Sequence, residues 1–173
     1  MNDATLSQAL KEAYAAAPAG VVIYHTIELW HPQFSAPVRV VRDYVDLVAT
    51  LESTAPRDAS TAVTFVGFNF EFTKPEVSPN GVPQITLTLD NVDRSIVANI
   101  ELAMGSTDLV TIIYREFIST NLSAPQNNPP LAMTIMTVVA DVFKITATAG
   151  FNNLMNKRFP TLEYSAETFV GLV

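Results

Sequence analysis

The chain has 173 residues, a formal net charge of −7 and no cysteine. That length makes one domain able to bury roughly 70% of its unfolded surface, and the lack of cysteine excludes disulfides, thiolate zinc sites and cysteine nucleophiles together. Only ten basic residues are present and they are scattered, which excludes the clustered Lys and Arg surface on which nucleic-acid affinity depends.

Leu6, Ala9, Leu10, Ala13, Tyr14 and Ala17 recur at helical intervals. They predict an amphipathic helix over residues 5–17, with Thr5 and Gln8 as its capping box and Pro18 and Gly20 as its stop. Asp3 and Glu12 sit where a secretory signal would avoid acids, and no apolar run approaches the roughly 18 residues of a membrane span. Neither a membrane partner nor secretion is therefore expected.

Residues 21–31, VVIYHTIELWH, alternate as a first strand. His25 falls on its more apolar side, where a lone histidine is expected to bond backbone. His31 precedes Pro32 and is pushed to extended geometry. The two histidines lack the short helical spacing of a metal pair, so no metal is expected. Two further strands follow, around Val38–Arg42 and Tyr44–Leu51. Arg39, Arg42, Asp43 and Asp46 intersperse both signs and read as a solvated strand edge. Residues 53–61 make a polar turn.

The stretch from Ala62 to Gly105 organises the rest. Val66, Phe68, Phe70 and Phe72 alternate with Gly67, Asn69, Glu71 and Thr73, predicting a half-buried strand whose phenylalanines form a core or interface stripe. Ile85, Leu87 and Leu89 repeat the alternation. The connection Lys74–Pro83, with Pro79, Asn80 and Gly81, suits a wide hairpin loop, so a long antiparallel hairpin is expected. From Asp90 the period becomes helical, with Asp90 as cap, Asp93 in the first turn, Gly105 as stop and Val92, Ile96, Ile100, Ala103 and Met104 as the buried stripe.

Leu109–Ser119 alternates with neither face wholly polar, so cover on both sides is expected. Residues 122–130 form a proline and asparagine loop. Met133–Thr148 reads as the longest strand, with a phase slip near Ala140–Val142 that suggests a bulge. Beyond it Phe151, Phe159, Tyr164 and Phe169 are spaced widely among polar residues. Such an arm is expected to strap across its own domain or a neighbouring subunit. The chain thus divides into a β-rich domain with two helices, residues 1–150, and an aromatic arm, residues 151–173. Its fold class is mainly β (α+β), an antiparallel barrel or sandwich.

Catalytic arrangements are missing from the sequence. It contains no G-x-G-x-x-G run, no G-x-x-x-x-G-K-[ST] loop and no G-x-S-x-G elbow. Two histidines in one strand region leave little material for a Ser/His/Asp triad. No enzymatic activity and no cofactor is expected.

The segment HPQFSAPVRVVRD after the first strand, the pair FNFEF and PQITLTLDNVDRSI, and the closing FP, Y and FVGL resemble tail-tip proteins of long-tailed bacteriophages and prophages. From about Tyr24 to Leu172 the chain is similar to phage proteins of about this length that carry only an unknown-function designation, and to the N-terminal hub portion of lambda-type minor tail protein L. The resemblance implies a β-rich hub domain, a structural virion protein assembled in the bacterial cytoplasm. It would form a ring with itself, a trimer first and a hexamer as the alternative, and join the distal tail ring to the central fibre alongside other tail-tip proteins. Full-length relatives carry a cysteine-ligated iron–sulfur cluster, which a chain without cysteine does not take over. The loop Lys74–Pro83 is then the first place to expect contact with the next ring. A second reading is a small β-barrel that binds a carbohydrate or lipid, with Trp30 and the phenylalanines lining its pocket.

Overall fold

A computed structural model describes residues 6–73, 84–90, 108–141 and 144–151, together with Ala103 and Ser106. Among these residues helix α1 (Gln8–Ala16) precedes nine strands: β1 (Ile23–Trp30), β2 (Val38–Val41), β3 (Leu47–Thr50), β4 (Ala62–Gly67), β5 (Phe70–Phe72), β6 (Gln84–Asp90), β7 (Thr111–Ile118), β8 (Leu131–Ala140) and β9 (Lys144–Gly150). The helix cap falls two residues later than the sequence suggests. Ser7 is the cap, its hydroxyl accepting from the Leu10 amide at 3.1 Å, while Gln8 donates to Glu12. Thr5 lies outside the described residues.

All nine strands join one mixed sheet in the order β3-β4-β2-β1-β7-β8-β9-β6-β5. The strand pairs are antiparallel except for β2 with β4, which run parallel through Val40 opposite Val66 and Val41 opposite Gly67. The purely antiparallel expectation is corrected at that one pair.

Because side chains alternate across a strand, β1 and β7 sort their residues cleanly between two faces. Ile27 and Leu29 stand opposite Tyr114 and Ile112. They belong to the larger apolar core, with Phe70, Ile85, Leu87, Leu89, Met133, Ile135, Ile145 and Ala147. On the other face Phe117 joins Val41, Leu47, Ala49, Leu51, Val63 and Phe65 in a second core. Both faces of β7 are covered, as its mixed pattern suggested.

The long hairpin needs correction. Its first arm is two strands, broken at Phe68 and Asn69, although the side-chain alternation runs through the break: Val63 and Phe65 are buried in the second core, Phe70 is buried in the first with Phe68 and Phe72 packed against it, and Val66 on that same face is exposed. Only β5 pairs with β6, with Phe70, Glu71 and Phe72 opposite Leu89, Thr88 and Leu87. The cause is local. A Cβ on Gly67 would lie 3.0 Å from Asp43 O, Tyr44 C and Val45 N, the Gly67 amide donates to Asp46 Oδ1 at 2.9 Å, and the Phe68 amide donates to Val41 O at 2.9 Å. The chain crosses under the 43–46 turn and then changes partners. Since all three crowding atoms are backbone, Gly67→Ala should cost about 1–3 kcal/mol. A urea titration should show a lower midpoint with an unchanged slope.

A second correction concerns Met133–Thr148, which is an antiparallel hairpin of β8 and β9 rather than one long strand. The phase slip marked its turn. A register irregularity does occur, but earlier, between Ile135 and Thr137. The helix expected over residues 90–105 lies outside the described residues apart from Ala103, which is helical and buried in the first core, and Asp90, which ends β6.

Candidate functional site

Three features stand out, and strand register creates each of them. The first begins with His25 on β1, directly opposite Glu116 on β7, with Tyr114 two residues back on the same face. His25 Nδ1 lies 2.7 Å from the Tyr114 hydroxyl, which donates to Glu116 Oε1 at 2.6 Å. Tyr14 of α1 donates to the same oxygen at 2.9 Å. A phenol has one hydrogen, and that of Tyr114 is committed to Glu116, so His25 carries its proton on Nδ1 and donates it. The buried Glu116 carboxylate thereby ties α1, β1 and β7 together. Burial first, and then the charge of Glu116, pushes both phenols far above the ordinary tyrosine range, so both remain hydrogen-bond donors at any physiological pH.

This chain of polar groups leads to a pocket of about 60 Å³ lined by His25, Arg42, Phe70, Phe72 and Tyr114. It lies where β4 leaves β2 and becomes β5. The Phe72 ring stacks on Tyr114 at 4.3 Å between centroids and 6° between planes, and His25 stacks on Tyr114 at 6.1 Å. Strand β5 is one edge of the sheet and β7 lies near its middle. Their stacked rings show that the sheet folds back on itself at this point.

The second feature is a buried charge network on the opposite face. Arg115 of β7 donates through Nη1 to Glu28 Oε2 of β1 at 3.1 Å, and through Nε and Nη2 to Glu52 at 2.8 and 2.9 Å. Arg39 of β2 donates to Glu28 at 3.2 Å and also to Asp58. The Arg57 guanidinium sits 3.4 Å from the Trp30 ring centroid and 3.8 Å from Glu28 Oε1. The network fastens the 51–61 loop over β1, β2 and β7. Arg39 is therefore not on a solvated edge as its sequence context suggests. Trp30 faces this network, across the sheet from Phe70 and Phe72, and does not share a pocket with them.

The third feature is apolar and exposed. Tyr44, Val45, Val48 and Val66 retain 101, 70, 58 and 53% of their accessible surface. Val48 stands opposite Thr64 on β4, two residues from Val66, and the Tyr44 and Val45 backbone crosses Gly67 next to it. They gather at β3, the other edge of the sheet.

Among the residues singled out in the sequence, Phe70 is core, while Phe68, Phe72 and Phe151 are half-buried against the same core. Lys74, Pro79, Asn80, Gly81 and Pro83 of the loop, and Phe159, Tyr164 and Phe169 of the arm, lie outside the described residues. His25 meets the Tyr114 side chain, and His31 is wholly buried, its ring 3.1 Å from Asp108 O. Among the described residues no group of three or more His, Asp or Glu is placed to hold a metal, and no helix is long and apolar enough to cross a membrane. Sequence reasoning missed Glu28, Arg115 and Glu116 as a set. Their available signal was a charge inside a strand with apolar residues on both faces, as in IELW and YREF.

These observations define a mainly β protein built on one mixed sheet, with two internal polar assemblies and an apolar edge. Residues 9–164 match the family described as Domain of unknown function (DUF1833), and the chain belongs to that family. No curated protein matches the chain.

Proposed function

We propose that the chain is a structural subunit of the tail tip of a long-tailed bacteriophage or prophage, forming a ring that joins the tail tube or distal tail ring to the central hub or fibre. The observation that carries this reading is the exposed apolar group of Tyr44, Val45, Val48 and Val66 at edge strand β3. Contiguous apolar surface on a folded domain marks an interaction site, and an unpaired edge invites another chain. The support beneath it is firm, since Gly67 pins the turn from below and β3 buries Leu47 and Ala49 in the second core. The sequence resemblance to tail-tip hub proteins supplies the identity of the assembly.

The same proposal takes the sheet as a closed hub barrel. Strands β4 and β5 are consecutive pieces of one segment, β4 paired with β2 and β5 with β6, so the pairings β1-β2-β4/β5-β6-β9-β8-β7 return to β1. The carbohydrate or lipid reading has less behind it, because Trp30 is on the wrong face and a pocket of about 60 Å³ is well under the roughly 300 Å³ of a typical ligand site.

The test is the mass and symmetry of the purified chain, by light scattering on a sizing column and by electron microscopy. Rings of a single closed symmetry are expected. Tyr44→Asp with Val48→Asp should abolish them while changing unfolding stability by no more than about 0.5 kcal/mol, as exposed substitutions do. Rings that persist in the double variant would remove the β3 edge from the interface.

A further inference from the structure

We propose that the pocket between β1, β2, β5 and β7 is a binding site for a carboxylate carried on a short aliphatic stem. The inference stands apart from the ring reading and rests on different residues. Its mouth holds Arg42, and its walls are His25, Phe70, Phe72 and Tyr114. The neighbouring carboxylates are engaged elsewhere: Asp43 accepts the Tyr44 amide at 2.6 Å, Asp46 the Gly67 amide at 2.9 Å, and Asp58 is paired with Arg39. Among the described residues Arg42 makes no ion pair.

A guanidinium is a planar fork whose donors match the two oxygens of a carboxylate. Behind it the wall is ring surface, which suits methylene groups rather than further charge. Size points the same way. One water needs about 10–15 Å³ of such space, so a pocket of about 60 Å³ admits a head of a few heavy atoms and little more. Glu116 lies beneath, with the phenols of Tyr14 and Tyr114 both pointing into its Oε1, and Arg42 is the cationic group of the lining that faces an incoming anion. A free short-chain acid or the acidic side chain of a second copy of this chain would present the same group.

Nuclear magnetic resonance of the full chain tests the site, using sodium propionate at constant ionic strength with sodium chloride as the control. Saturable shifts are expected at the His25 and Tyr114 side chains. Arg42→Gln should weaken them at least about tenfold, as loss of a charged hydrogen-bond donor does, and Arg42→Lys should restore part of the affinity. Arg42 is exposed, so both variants are expected to fold, and their unshifted amide spectra provide the check. Absence of saturable shifts, equal shifts with chloride, or equal affinity in Arg42→Gln would each overturn the proposal. Light scattering separates the sources. Loss of oligomer mass on adding propionate, reproduced by Arg42→Gln without it, identifies a second copy as donor, and unchanged mass identifies the free acid.

Discussion

Arg115→Met is expected to lower the free energy of unfolding by about 3–5 kcal/mol, the usual cost of removing one partner from a buried ion pair. Arg115 is completely buried and donates to both Glu28 and Glu52. Methionine fills most of its volume but leaves Glu28 with Arg39, and with Arg57 beyond hydrogen-bond distance. The loop that Glu52 anchors would lose its strongest tie. Since folded domains are stable by only about 5–15 kcal/mol, the variant should sit near the edge of folding. A urea titration followed by tyrosine and tryptophan fluorescence would measure it. Adding Glu52→Gln should recover part of the loss, because the two side-chain bonds of Glu52 both come from Arg115 and the charge orphaned by their loss is then gone; a double variant as unstable as the sum of its parts would mean that the network acts through packing alone.

Phe70→Asp is expected to be as damaging. Phe70 is almost fully buried in the larger core beside Leu87 and Leu89, and an aspartate there puts a charge among apolar side chains and leaves a cavity at once. A loss of several kcal/mol, enough to leave the chain unfolded or aggregated, is the anticipated result. Phe70→Leu provides the graded comparison and should remain folded with a smaller loss. A soluble, fully folded Phe70→Asp would instead put the ring at a subunit interface.

The sequence made the strands legible wherever one face was apolar. Period-two alternation located β1, β6 and β7 within two residues, and helical spacing located α1. It failed where two partners compete for one segment. Val66 to Phe72 keeps a perfect alternation on paper, yet the backbone turns at Phe68 and Asn69 because the 43–46 turn crowds Gly67, and no residue pattern announces a distant turn. The hairpin of β8 and β9 was misread for the opposite reason, since its turn contains neither glycine nor proline. Of the polar sites, each member was visible and their meeting was not. Glu28 and Arg115 are 87 residues apart, and only the register of β1 on β7 brings them together.

That β4 and β5 are one continuous segment bears on how the molecule comes apart. Drawing β4 away from β2 and β3 pulls on β5 two residues later, and with it the Phe72 ring that lies on Tyr114. Neither side of the sheet can open alone without loading the other through that short tether. Amide exchange in β2, β4, β5 and β6 should therefore report a single opening event.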